Sequence, residues 1–201
     1  MCNLYRLTPG PAEIARLFGT PLPESLNTPG EIYPGYPGLV VAGGMLRAMT
    51  WGFPLVQRSK RTGQPLKPKP VNNARADKLA SAFWRSSFEA RRCLVPMSAF
   101  AEAEGPKGHM TRTWLSLPDR PVFACAGVWR DSAEWGPVYS LVMTDAAETT
   151  AEVHDRVPVI LSTEDEARWI AGAPAEALDL CRPWAGDITI ERTSESWVRS
   201  H

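Results

Sequence analysis

The sequence predicts an α+β fold: a single domain with a mostly antiparallel, barrel-like β core and a few peripheral helices. Three observations point there. Short apolar runs recur along nearly all of the 201 residues, separated by turns drawn from 19 prolines and 15 glycines. Only a few stretches carry helical spacing. No internal repeat or linker divides the chain, and its length suits one domain, with a core over about 2–192 and a polar tail over 193–201.

Taken in order, residues 2–8 alternate weakly and predict a first strand. Thr8-Pro9-Gly10-Pro11 leads into a helix over 12–18, with Ile14, Leu17 and Phe18 on one face and Gly19 as its stop. Residues 21–38 are loop-like. Strands over 38–42 and 46–51 predict a hairpin about Gly43-Gly44. From Gln57 to Lys69 the chain carries Arg58, Lys60, Arg61, Lys67 and Lys69 with no acid. That run reads as a solvated loop, with phosphate binding as the alternative.

Asp77 is placed to cap a helix over 78–90, whose apolar face (Leu79, Phe83, Phe88) is loose. Residues 91–96 resume as a strand and run into 98–103, where alternation puts Phe100 and Glu102 on one face. A carboxylate sharing a face with a core aromatic has its pKa raised by burial. Residues 113–117, 122–129 and 138–144 predict antiparallel strands, 146–153 a short helix, and 154–161 a further strand. Thr163-Glu164-Asp165-Glu166 reads as a capping box for a helix ending near Gly172, and a last strand covers 188–191.

Composition narrows the function. Twenty-two basic and 22 acidic side chains give a formal charge of zero, which excludes bulk electrostatic coating of nucleic acid but not a local basic groove. The four cysteines (Cys2, Cys93, Cys125, Cys181) form no CxxC pair and meet no histidine at zinc spacing. Neither a metal nor an organic cofactor is implied. With no signal peptide or long apolar run, the expectation is a cytoplasmic, bacterial-type protein with reduced thiols, away from membranes. Cys93, Cys125 and Cys181 sit in strand or turn contexts and read as structural.

Cys2 stands apart. Once Met1 is removed, its thiol lies beside a free α-amine. A 1,2-aminothiol condenses with an aldehyde twice, through nitrogen to an imine and then through sulfur to a thiazolidine. The amine (pKa roughly 7.7–8.0) and the thiol (roughly 8.5) both reach their nucleophilic forms near neutrality. The bland alternative is an ordinary second residue, small enough for Met1 to be trimmed.

Five blocks then carry a resemblance: Met1-Cys2, Trp51-Gly52-Phe53-Pro54, Asn73-Ala74-Arg75-Ala76, Arg91-Arg92-Cys93-Leu94-Val95-Pro96 with Phe100 and Glu102, and His154-Asp155-Arg156-Val157-Pro158-Val159-Ile160-Leu161. In order and spacing the chain resembles the SOS response-associated peptidase family from residue 1 to at least Trp169. The resemblance implies a covalent crosslink to abasic sites in single-stranded DNA through the N-terminal cysteine. It implies Cys2 as nucleophile with Asn73, Glu102 and His154 as its partners, and Arg75 and Arg156 on DNA phosphates.

Residue chemistry agrees with those roles. Glu102 can shuttle a proton, His154 can donate to the sugar oxygen, and Asn73 can hydrogen-bond the amine or an oxyanion without titrating. Each also has a bland reading: a turn asparagine, a surface arginine, a salt-bridged glutamate, a loop histidine.

The chain departs from the family at the early Cys-Gly-Arg-Phe, here Cys2-Asn3-Leu4-Tyr5, and at the acid after Asn-Ala-Arg-Ala, here Asp77 rather than Glu. The family's Phe-Tyr-Glu-Trp becomes Phe100-Ala101-Glu102-Ala103. A lost base stack weakens single-strand binding by about 1–3 kcal/mol; Trp51 or Trp114 offers a replacement surface, with core packing as the alternative reading for most of the eight tryptophans. The expected partner is single-stranded DNA with an abasic site, bound by a monomer that joins the nucleoid when on DNA. Two other functions stay open: a thiol peptidase acting on its own N-terminus, and a noncovalent reader of damaged or modified DNA.

Overall fold

The computed structural model describes residues 2–24 and 26–198. Strand β1 (Leu4–Arg6) and helix α1 (Pro11–Leu17) open the chain, followed by β2 (Glu31–Ile32). Strands β3 (Pro37–Ala42) and β4 (Met45–Trp51) form the expected hairpin, Ala42 pairing Met45 across Gly43 and Gly44 at φ 60° and 72°. Both turn positions lie in the left-handed region that only glycine enters freely. β5 (Phe53–Leu55), β6 (Lys69–Val71) and β7 (Asn73–Arg75) follow.

In place of a continuous helix over 78–90, the chain makes a 3-10 turn at Ala76–Lys78 and a short α2 (Arg85–Ala90). Tertiary packing decides this. Phe83 and Trp84 meet edge to face at 4.7 Å and both close around Phe53, an arrangement that interrupts helical periodicity. Asp77 caps nothing and instead holds Arg75.

β8 (Arg92–Met97), β9 (Ala99–Glu104), β10 (Thr111–Ser116), β11 (Phe123–Ser132) and β12 (Gly136–Asp145) build most of the sheet structure. After α3 (Glu148–Ala151) come β13 (Arg156–Pro158), β14 (Ile160–Leu161), α4 (Thr163–Ala171), α5 (Pro174–Asp179) and β15 (Thr189–Ser196). The cap of α4 is Ser162, one residue before the expected box; its hydroxyl accepts from the Asp165 N–H at 3.2 Å. The last strand continues through the polar Thr193–Ser196 segment expected to be tail, because its backbone pairs along β10 from Ser116 to Thr111. Residues 199–201 of that tail lie outside the described residues.

The barrel is closed by five strands. β12 pairs β4, β4 pairs β3, β3 pairs β8, β8 pairs β11, and β11 returns to β12. Most contacts are antiparallel, but β12 runs parallel to β4 and, further along the same edge, to β7. A second sheet, in the order β15-β10-β9-β1-β2, carries the N-terminus. Inside, Val95, Cys93, Cys125, Phe123, Leu141 and Tyr139 are fully buried. Burial pushes the Cys93 and Cys125 thiols up.

Arg92 fastens the helices to the barrel. Its buried guanidinium donates to the carbonyls of Phe88 (2.8 Å), Trp169 and Gly172, so the C-terminal end of α4 supplies partial negative charge where no carboxylate stands among the described residues.

Candidate active site

Cys2 lies two residues ahead of β1 and is fully buried. Its position follows from the strand order: β1 is hydrogen-bonded to β9, with Leu4 opposite Ala101, so Glu102 falls one residue beyond the partner of Leu4. From the other side comes the segment between β6 and β7. The Asn72 carbonyl accepts from Leu141 N–H (3.0 Å) and from Trp51 Nε1 (2.9 Å), which fixes that backbone. The two asparagine side chains then converge on one atom. Asn72 Nδ2 donates to the Cys2 carbonyl at 3.0 Å and Asn73 Nδ2 donates to it at 2.8 Å. Asn72 also reaches Asn3 Oδ1 at 3.0 Å. Asn73 Oδ1 is buried and accepts no hydrogen bond from the described residues, leaving an acceptor on the side chain that also holds the Cys2 carbonyl.

The Cys2 thiol donates to the Leu4 carbonyl at 3.5 Å. Burial raises its pKa well above that of a free thiol, and the Glu102 carboxylate adds to the effect. Glu102 is 3% exposed, and burial pushes its carboxyl up to about 7. The Asp155 carboxylate acts on it in the same direction, more weakly than burial.

His154 sits just ahead of β13, held there by its backbone bond to Thr150 (3.2 Å). Its Nδ1 is 3.0 Å from the Arg156 N–H and 2.7 Å from Asp155 Oδ1, two contacts that need opposite protonation of that nitrogen. Burial lowers the His154 pKa and favours the neutral ring, and the Asp155 side chain is 80% exposed, where water screens it. The backbone donor favours the tautomer in which Nδ1 accepts and Nε2 carries the proton.

Arg75 and Arg156 come from β7 and β13, the strands flanking the end of β12, and line one cavity of about 290 Å³ with Thr144, Asp145 and Cys181. Each faces a carboxylate. Arg75 makes a two-pronged contact to Asp77 at 2.9 and 2.7 Å, and Arg156 Nε lies 3.6 Å from Asp145.

Trp51 does not present a surface to DNA. Its ring is 0% exposed, edge-on to Tyr5 at 5.1 Å and stacked on Tyr139 at 6.5 Å, with its only N–H committed to Asn72. Its area is buried inside the barrel, and its indole N–H fixes the Asn72 backbone. Trp114 is buried too, beneath the Arg6 guanidinium at 4.5 Å. Sequence reasoning passed over Asn72 and Asp155. The doubled Asn72-Asn73 was the one visible signal, because neighbours on a strand point to opposite faces unless the chain turns between them.

The sequence matches the family described as SOS response associated peptidase (SRAP) over residues 1–198. The chain belongs to that family. Relatives include Abasic site processing protein YoqW of Bacillus subtilis, 31% identical over 105 residues that cover 49% of this chain and 46% of that protein. Another is Abasic site processing protein YobE of the same organism, 30% identical over 105 residues, or 49% and 48% of the two chains. The matched stretch thus spans about half the length of these relatives. Among solved structures, a Bordetella bronchiseptica protein superposes with a TM-score of 0.79 at 19% identity, covering 96% of this chain and 99% of that one. A Bacteroides thetaiotaomicron protein gives 0.77 at 19%, covering 95% and 91%. Those likenesses establish the SRAP fold: one β-rich domain with a five-stranded barrel and few helices.

Proposed function

We propose that this SRAP chain captures abasic sites in single-stranded DNA as a covalent adduct on Cys2. The supporting observation is the hold on Cys2: two asparagine amides on its carbonyl, an open Asn73 Oδ1, and a protonatable Glu102 within electrostatic reach of its thiol. The relatives named abasic site processing proteins point to the same substrate.

The chemistry needs the Cys2 amine free, so Met1, which lies outside the described residues, must first be removed. The amine adds to the ring-opened aldehyde. The carbinolamine loses water with a proton from Glu102, and the thiol adds across the C=N bond, sulfur to carbon and its proton to nitrogen, to close the thiazolidine. A carboxyl with a pKa of about 7 is suited to both giving and taking protons at neutral pH. Asn73 Oδ1 orients the amine, and His154 Nε2–H donates to the sugar oxygen as the ring opens. Holding the aldehyde against the aminothiol supplies much of the rate.

The test is a denaturing gel of Cys2-first protein with single-stranded DNA carrying one abasic site, beside Cys2→Ala. A band that survives denaturation and is lost in Cys2→Ala supports the reading. Its absence from folded wild-type protein overturns it. Full lesion protection by Cys2→Ala would favour a noncovalent reader.

Arg75 and Arg156 hold the phosphates beside the lesion in this reading, their forks suiting an oxyanion better than an ammonium does. Replacing both with alanine is expected to abolish most single-strand binding. A salt titration checks it, and unchanged affinity would remove the two arginines from the DNA path.

A further inference from the structure

The basic run that the sequence presents as a loop is a folded hairpin. Its root is paired, Phe53 with Val71, Pro54 with Pro70 and Leu55 with Lys69. The pairing continues outward through Leu66 N–H to the Gln57 carbonyl (2.7 Å), a bridge between Arg58 and Pro65, and Ser59 N–H to the Gln64 carbonyl (2.9 Å). Gly52, at φ 120°, sets the root: a Cβ there would fall 2.4 Å from Pro70 Cβ. At about 3.3 Å per residue the tip at Lys60 and Arg61 stands about 20 Å from the root.

Over residues 53–71 this arm carries Arg58, Lys60, Arg61, Lys67 and Lys69 and no acid, in a chain whose 22 basic and 22 acidic side chains sum to zero, so the rest of the chain is net acidic. All five are exposed, and none has an ion-pair partner among the described residues. The cations at the site differ: Arg75 and Lys78 face Asp77, and Arg156 faces Asp145. Unlike Arg75, Lys78 and Arg156, the arm's five cations face no carboxylate among the described residues. The arm's position is continuous with the site, since β6 runs directly into Asn72 and Asn73. A cavity of about 300 Å³ at its root is lined by Leu55, Val71, Asn73, Arg75 and Trp84 among others, and one of about 510 Å³ by Pro34, Thr50, Lys67, Pro70 and Trp135 among others.

We propose that the 53–71 arm is a second DNA contact, its tip cations holding the phosphates of the strand that leaves the Cys2 site. The idea rests on the abasic-site reading for its ligand but is scored separately. Binding of undamaged single-stranded dT20 is titrated with salt for the wild type and for Arg58→Gln/Lys60→Gln/Arg61→Gln. Losing three phosphate contacts flattens the slope of log K against log salt by about two, because each contact on a single strand contributes about 0.7. Arg58 also donates to the Gly63 carbonyl (3.0 Å), so Lys60→Gln/Arg61→Gln, which spares that bond, is measured alongside; its slope falls by about one and a half. Lys60→Arg/Arg61→Lys keeps the wild-type slope. Equal slopes in the wild type and the Gln variants, or no dT20 binding by the wild type at low salt, would overturn the arm. Absence of the Cys2-dependent band would instead overturn the covalent reading.

Discussion

Glu102→Gln is expected to slow formation of the Cys2-dependent adduct by about 10²–10⁴-fold while leaving the protein folded, the range lost when a positioned proton carrier is removed. The amide keeps the size of the carboxyl and its hydrogen-bonding capacity in the buried position on β9, but it cannot gain and release a proton near neutrality. The wild-type rate should therefore change across a pH near 7, where burial has placed the carboxyl, and that inflection should vanish in the variant. A single-turnover rate profile from pH 5 to 9 reads both effects. Wild-type rates in Glu102→Gln would take the proton transfer away from this residue.

The same substitution has a signature in stability. The folded-state pKa of about 7 lies above the ordinary 4.5, so the native state holds the proton more tightly than the unfolded chain does. The stabilisation is complete below about pH 4.5 and is lost as pH rises through about 7, a change of about 3 kcal/mol if the shift is fully expressed. Glu102→Gln removes this dependence, so its advantage over the wild type grows from pH 5 to pH 8. His154 has the opposite sign: its lowered pKa gives stability above the ordinary histidine value, lost as pH falls through the folded value. Because His154 is present in both proteins, the difference between them isolates Glu102. Parallel urea-denaturation curves at the two pH values would show that the carboxyl is not perturbed in this way.

Much of the local structure was legible because it is encoded by short-range chemistry. Gly43-Gly44 demands a tight hairpin, and the acids after Ser162 demand a helix start. Alternation in Phe100-Ala101-Glu102 placed a carboxylate beside the core, where it is 3% exposed. What escaped the sequence was set by partners far along the chain. Nothing local in Met49-Thr50-Trp51 says that β4 will run parallel to β12, yet that pairing puts Trp51 beside Tyr139 and inside the barrel rather than on DNA. Likewise 57–69, polar and proline-bearing, has no alternating apolar face; its hairpin geometry is visible only once β5 and β6 are paired. The polar 193–196 segment becomes strand because β10 offers it a backbone edge. In the site, the chain listed the asparagines in tandem but not their common target, the Cys2 carbonyl, 71 positions from Asn73.

Gly38→Ala is expected to cost about 3 kcal/mol of stability, the upper part of the range for overpacking a close-packed core, and to lower Tm by about 10 °C. Gly38 lies on β3 opposite Met49, and a Cβ there would fall 2.2 Å from both the Tyr5 and the Tyr139 hydroxyl oxygens. Neither ring can retreat easily. Both are fully buried, their oxygens lie 2.5 Å apart in one hydrogen bond, and Trp51 packs against both. Tyr5→Phe/Tyr139→Phe removes the two oxygens, after which the nearest atom to the new Cβ is Tyr139 Cζ at 3.2 Å. In that background the same substitution should cost less than about 1 kcal/mol, a non-additivity of the size found for residues in direct contact. An equal loss in both backgrounds would show that the hydroxyls are not the obstacle. The displacement should also reach the chemistry. Trp51 holds the Asn72 carbonyl, and Asn72 holds Cys2, so Gly38→Ala assayed well below its own Tm should still crosslink slowly. Removing the two hydroxyls should restore the rate together with the stability, because one clash causes both losses.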